Sequence, residues 1–278
     1  MTGSAANVLR RTCREIVSTL ERLGELTLDA EVRRKLIRVS PATIDRLLAP
    51  ARKRYQLRAR SQSKSGTLLK HQIPIRTWSD WNEACPEFVE IDLVSHEGGD
   101  PRGDFAYTLD ATDICTGWTE TEAVRNRAEK WVCAGLEKAS ARFPFGICGI
   151  DSDNGSEFIN NHLIRYCVEN QITFTRSRPY RKNDTCFVKQ KNCSIVRRAV
   201  GYHRYDTAEE LELLNHLYSV LRLHANFLQP VMKLMEKTQT GNTVKRKYDK
   251  ARTPYSRVLE SAHIPEQEKD ELRRLTRC

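Results

Sequence analysis

Long apolar runs are missing from this 278-residue chain. Without 18 consecutive apolar residues it offers no candidate helical membrane span. Its nine cysteines contain no C-x-x-C pair, and its seven histidines form no tight group with them, so the spacings of zinc modules are absent. No signal peptide points to an oxidising compartment, and reduced, partly buried thiols in a cytoplasmic protein are expected. Internal repeats are absent too. Acidic residues are lacking most conspicuously between positions 51 and 70, where Arg52, Lys53, Arg54, Arg58, Arg60, Lys64 and Lys70 stand without one Asp or Glu. The whole chain has 46 Lys plus Arg against 36 Asp plus Glu, a net charge of +10. That balance suits a polyanionic partner. A solvated basic linker and a phosphate-tracking arm are compatible readings of 51–70.

Two acidic motifs lie where such a chain would do chemistry. Phe88-Val89-Glu90-Ile91-Asp92-Leu93-Val94 is a short apolar run carrying carboxylates and followed by Gly98-Gly99, the pattern of a buried strand that ends in a turn. Residues 145–156 read as a second buried strand that releases at Asn154-Gly155 into a helix over 156–170. Asp153 then sits at a strand's carboxyl end, where open α/β sheets place functional groups. Between Asp153 and Lys189 there are 35 residues, and Lys189 falls in a helix expected over 184–200.

These residues carry a family resemblance. Asp153-Asn154-Gly155-Ser156-Glu157-Phe158, the Asp92 strand and Arg178-Pro179-Tyr180-Arg181-Lys182-Asn183-Asp184 resemble the integrase-core transposases of bacterial insertion sequences, relatives of retroviral integrases. The likeness runs from about Ser40 to about Leu259. It implies an α/β fold, a ribonuclease-H-like mixed sheet flanked by helices, and residue patterning places a small helical, helix-turn-helix-like domain ahead of it. It further implies a site of two Asp and one Glu that binds Mg2+ or Mn2+, strand transfer on double-stranded DNA at element ends, and a homo-oligomer that joins two ends. Asp92 and Asp153 match the two aspartates, and Asn192 matches the asparagine three residues after the glutamate. Lys189 stands where the glutamate is expected.

That departure bears directly on chemistry. Such sites use two divalent cations about 3.5–4 Å apart, one at the attacking and one at the leaving oxygen. Magnesium takes oxygen ligands at about 2.0–2.1 Å, which carboxylates supply together with neutralising charge. An ammonium removes a ligand, changes the local charge by two units, and is expected to ion-pair with both aspartates. Weak metal binding and little or no strand transfer follow. Three acids are candidate substitutes. Asp184 is about 500° before Lys189 on a helix, hence on another face. Glu157 reads as a first-turn residue at a positive helix end, with ligation left open. Asp151 is assigned to the sheet face opposite Asp153. Two functions remain: a transposase with an unrecognised third ligand, or a non-catalytic DNA-binding remnant that occupies element ends or poisons active relatives. An unrelated transcription regulator leaves both aspartate strands unexplained.

Four segments are expected: a helical DNA-binding domain at 1–55, a basic linker at 56–84, a catalytic core at 85–230 and a basic carboxyl-terminal segment at 231–278, whose abrupt end reads as a shortening. In the first, helices at 8–23 and 29–39 precede a third that starts with Ser40 as cap and Pro41 in the first turn. The pattern alone equally fits a small helical bundle without base contacts, and the neighbouring basic run favours DNA, with Thr43 and Arg46 as the candidates for the major groove. Arg52, Lys53 and Arg54 in the linker, and Arg178, Arg181, Lys182 and Asn192 around the third motif, are the other candidate DNA contacts. Strands at 105–113 and 116–124, helices at 126–143 and 207–227 and a strand at 172–175 complete the core. Residues 238–243 read as a turn-rich break, and 260–278 as a charged helical tail. Lys245, Arg246, Lys247, Lys250, Arg252 and Arg257 form a further basic cluster.

Overall fold

The computed structural model describes residues 17–18, 20–40, 42–43, 46–47, 49–50, 69, 72–76, 85–179, 182–240 and 243–275, with Lys182, Asn183, Lys237, Gln239, Thr240, Thr243 and Val244 described in backbone only. Arg52, Lys53, Arg54 and Arg181 therefore lie outside the described residues, as does most of the helix expected at 8–23. Helix α1, Ala30–Arg38, begins where Asp29 accepts from the Glu31 and Val32 N–H groups. Ser40 Oγ accepts from the Thr43 N–H at 3.1 Å, the capping role expected of it.

The central sheet has strands β1 Phe88–Ser95, β2 Tyr107–Asp113, β3 Thr119–Val124, β4 Gly149–Ser152 and β5 Thr173–Arg176, in spatial order β3-β2-β1-β4-β5. The first three form an antiparallel meander, and β4 and β5 add parallel to β1. A meander followed by parallel crossovers is the ribonuclease-H-like arrangement. Helices α2 Glu129–Ser140 and α3 Asn161–Glu169 make those crossovers. Ile75 bridges to Arg176 beside β5 and Ile73 is buried, so this part of the expected linker belongs to the core.

Side chains two apart on a strand share a face, and the two faces differ sharply. Val89, Ile91, Leu109, Ala111 and Ile150 point to one side, where Val132 and Leu136 of α2 and Leu163 and Cys167 of α3 close the main core. The other side carries Glu90, Asp92 and Val94 on β1 and Thr108, Asp110 and Thr112 on β2. Over it runs a helical stretch built from a tight turn Lys182–Thr185, helix α4 Cys186–Lys191, a wider π turn Asn192–Arg197 and Arg198–Val200. Helix α5, Ala208–Leu223, opens with a Thr207–Glu210 capping box and packs Leu214 and Tyr218 beside Val196 and Val200.

The region after 230 differs from expectation. The break expected at 238–243 lies inside an antiparallel hairpin, β6 Leu234–Thr240 and β7 Thr243–Tyr248. Helices α6 Pro254–Glu260 and α7 Glu266–Leu275 follow, and Val258, Ile264 and Leu272 are buried in the main core. No described helix is long and apolar enough to cross a membrane.

Candidate active site

The face beneath α4 gathers acids from three strands. Glu90 is directly opposite Asp151 in the β1–β4 register, and Asp92 is opposite Asp110 across β1–β2. Asp153 is one residue past β4, so it extends the row that Asp151 begins. The assignment of Asp151 to the opposite face from Asp153 is thus corrected: a period of two puts both on one face. Thr175 Oγ1 donates to Asp151 Oδ1 at 2.6 Å, and the Val188 N–H donates to Glu90 Oε2 at 2.9 Å. Among the described residues, buried Glu90 Oε1, Asp110 Oδ2 and Asp151 Oδ2 have no hydrogen-bond partner. Burial holds the Glu90 and Asp110 carboxyls well above the usual carboxylate range and lifts Asp151 to about 7.

Asp92 is partly exposed at the rim of this row. The Leu93 N–H donates to its Oδ1 at 2.9 Å, and Asn192 Nδ2 donates to its Oδ2 at 2.9 Å. Desolvation and then the Asp153 charge raise it to about 7, against the pull of Lys189 and these two hydrogen bonds. Asp153 Oδ1 accepts from the Gly155 N–H at 2.8 Å, which folds the chain into a turn. Asn154, held by Arg176 at 3.0 Å and bonded to the Ser177 carbonyl at 2.7 Å, secures that turn. The helix expected from Ser156 starts only at Asn161, because Asn160 supplies the cap to Leu163. Glu157 is accordingly a turn residue and not a helix opener. Its carboxylate lies within 2.9 Å of where a Gly155 side chain would begin, so it folds back over that glycine. Burial and then Asp153 raise its carboxyl above the ordinary value, with its own backbone N–H acting against them.

Lys189 does not form the expected contact ion pairs. Its Nζ donates to Thr185 Oγ1, one turn back, at 2.6 Å, and among the described residues it has no ion pair. Its charge reaches both Asp92 and Glu90 through space. Two residues further on, Lys191 is buried beside Asp110, and desolvation lowers it to about 8. Asp184 is buried and takes the guanidinium of Arg178 at 2.7 and 2.8 Å, so Arg178 is engaged with a carboxylate instead of lying open to phosphate. Thr43 is partly exposed and Arg46 exposed, on the separate amino-terminal helical part. The chain path brings Lys182 to the start of the stretch that carries Lys189 and Asn192.

Sequence reasoning missed Glu90, Asp110 and Lys191 and misplaced Asp151. Glu90 is detectable from its spacing of two from Asp92. Lys191 is not, because a lysine on a basic helix gives no sign of burial.

An open groove of about 740 Å3 adjoins the row on the Asp153 side, with Tyr107, Arg127, Lys130, Glu157 and His162 among its walls. One rim is the 97–104 loop. Arg204 grips it by donating to the carbonyls of Asp100 at 2.8 Å and of Arg102 and Asp104 at 3.0 Å, with a longer contact to that of Glu97 at 3.5 Å. Gly98 is required there: a side chain would start 2.6 Å from Arg204 Cβ, and its φ is +62°.

The integrase core domain family model matches residues 83–182, the segment from β1 to the turn before α4. A protein of Sinorhizobium fredii called uncharacterized protein y4rM is 43% identical over 242 residues, 87% of this chain and 69% of that protein. The chain belongs to the integrase-core superfamily. DNA integration of the transposase or integrase kind is the function class of that superfamily. Among solved structures, this integrase-core chain is similar to the HTLV-2 integrase catalytic core in complex with magnesium, at 12% identity and TM-score 0.41, over 54% of this chain and 93% of that one. It is similar to the BIV integrase catalytic core at 18% and 0.43, over 64% and 96%, and to a simian T-cell lymphotropic virus intasome bound to a PP2A regulatory subunit at 13% and 0.47, over 90% and 76%. Strand order and the matched segment, not these overall likenesses, define the fold.

A two-metal centre requires carboxylate oxygens around both cations. Here the charge of Lys189 acts on Asp92 where a third carboxylate would be needed, and among the described residues no group of three or more His, Cys, Asp or Glu is arranged to hold a metal ion. The residues present do not fit such a centre.

Proposed function

We propose that this chain is a DNA transposase of the insertion-sequence, integrase-core type whose strand-transfer centre is disarmed at Lys189. Asp92 and Asp153 are its remaining metal-site carboxylates, and its present activity is binding to double-stranded DNA at element ends, as a homo-oligomer. The observation that carries this reading is Lys189 itself, on the helix that crosses Asp92, with its charge directed at the carboxylates and its Nζ tied to Thr185. Asn192 orients Asp92 as a positioning residue. A positive charge at the third position repels the divalent cation that the two aspartates would attract, which weakens uptake of Mg2+ or Mn2+. Such a protein would bind element ends without joining them and would inhibit active relatives by mixed assembly. Thr43, Arg46, Arg52, Lys53, Arg54, Arg181 and Lys182 are its proposed DNA contacts, in the domain order given by the sequence.

Magnesium- or manganese-dependent nicking of supercoiled DNA tests this. The native protein is expected to be silent, Lys189→Glu active, and Lys189→Glu with Asp153→Asn silent again. Nicking by the native protein that Asp153→Asn abolishes would overturn the disarmed reading and point to Glu157 as a ligand.

A further inference from the structure

The hairpin β6–β7 takes no part in the acid face. Its strands pair only with one another, in register from Leu234↔Tyr248 to Thr240↔Thr243, while the central sheet is complete without them. At about 3.4 Å per residue, seven residues give a ribbon about 20 Å long. Its root is firmly held. The Lys233 N–H donates to Asp249 Oδ1 at 2.7 Å, the Asp249 N–H donates to the Lys233 carbonyl at 3.0 Å, and Lys233 Nζ reaches the Cys115 carbonyl at 2.9 Å. Arg257 pairs with Asp249 at 2.7 Å, both side chains being nearly buried. The root also adjoins the acid face, since Lys191 Nζ and Val231 both lie 3.8 Å from where a Gly117 side chain would begin.

Beyond that root the ribbon changes character. Lys245, Arg246 and Lys247 are exposed, and among the described residues none has an ion pair. Exposed Arg102 and partly exposed Arg273, by contrast, do have carboxylate partners. Alternation places Lys245 and Lys247 on one side and Arg246 on the other. A ribbon lying on a flat anionic surface needs cations on one side only. A ribbon between two phosphate backbones meets negative charge on both, and a two-stranded ribbon is one of the elements a duplex major groove admits.

We propose that the β6–β7 ribbon is a second contact for duplex DNA, separate from the acid face, that enters a groove with Lys245 and Lys247 toward one phosphate backbone and Arg246 toward the other. The proposal rests on DNA being this chain's partner and is independent of whether Lys189 has disarmed the centre.

Fluorescence anisotropy of a labelled random-sequence duplex, in EDTA and across a salt series, tests it. The full chain is compared with Lys245→Gln/Lys247→Gln, with Arg246→Gln, and with Lys138→Gln/Arg165→Gln, a pair of exposed cations on α2 and α3 across the sheet. Each phosphate that is no longer neutralised is expected to make the salt slope shallower by about 0.9, so by about 1.8 for the ribbon pair, about 0.9 for Arg246→Gln and nothing for the α2–α3 pair. Equal changes in the two pairs would reduce the effect to net charge and overturn the proposal, and so would an unchanged slope in the ribbon pair. An effect of the lysine pair without one of Arg246→Gln would overturn groove entry. No duplex binding by the native chain would remove the DNA reading and the ribbon together. Unchanged melting temperatures are expected for the ribbon variants, because Lys245, Arg246 and Lys247 are exposed and have no ion pair among the described residues.

Discussion

Two sets of buried carboxylates lie on opposite faces of the same sheet, and they are built on opposite terms. On the α2 side, Glu120 is fully buried yet saturated: the Trp118 indole donates at 2.8 Å, Arg142 at 3.2 Å and Arg222 at 2.7 Å to each oxygen. Glu122 beside it takes Arg142 at 2.8 Å and Lys138 at 3.4 Å. On the α4 side, Glu90, Asp110 and Asp151 are equally buried, each with an oxygen left unmatched. The first set welds strand β3 to helices α2 and α5. The second holds carboxyls that are left short of partners and whose ionised forms burial disfavours, an arrangement that costs stability and is typical of functional sites.

The largest expected effect comes from breaking the matched set. Arg222→Ala leaves Glu120 buried and short of two donors, and a loss of about 3 kcal/mol is expected in denaturant unfolding. If the loss were no larger than that for an exposed arginine, the matched face would contribute no more than a surface ion pair.

His96 sharpens the contrast from the basic side. It is buried against Thr108 at 2.7 Å, with Tyr218 beyond Thr108, Tyr205 across its ring and Arg197 nearby, and its Nδ1 has no partner among the described residues. Burial and then Arg197 lower it to about 3. Its unfolded form takes a proton below about 6.5 while the folded form does not, so stability falls as pH drops through that window. About 2 kcal/mol is expected to be lost between pH 7 and pH 5 on this account, and His96→Gln should flatten that part of a pH series of melting curves.

The smallest effect has the opposite sign. Glu90→Gln keeps an acceptor for the Val188 N–H and removes an unmatched charge, so it should stabilise by about 1 kcal/mol at pH 8. Because the folded carboxyl is raised, the native chain loses stability as pH climbs above the ordinary carboxylate range, and the gain should shrink toward pH 4. Destabilisation at pH 8 would mean that Glu90 is matched after all.

Asp92 and Asp153 stand out in the sequence because one lies within a short apolar run and the other closes one, and Asn192 because its spacing from Lys189 is local. The face of Asp151 is legible as well, since strand periodicity alone determines it, and the opposite assignment is an error of parity. Ser156 looks like a helix start because serine caps helices, but Asn160 supplies the cap and the intervening turn places Glu157 beside Asp153. The hairpin is hidden by its polarity: Gly241-Asn242 is a two-residue turn signal, and flanks of Lys, Thr and Gln give it no apolar alternation. The Lys189–Thr185 bond depends on where one side chain settles, which spacing does not encode.

The hold of Arg204 on the 97–104 loop falls entirely on main-chain oxygens. Such a clamp is blind to side chains. Beyond the positive-φ glycines Gly98, Gly99 and Gly103 and the Asp100 carboxylate that accepts from Arg102, the loop's residues can change without altering its path, so this rim of the groove can be rewritten in chemistry while keeping its shape. A surface of that kind can acquire new contacts without the fold having to be solved again.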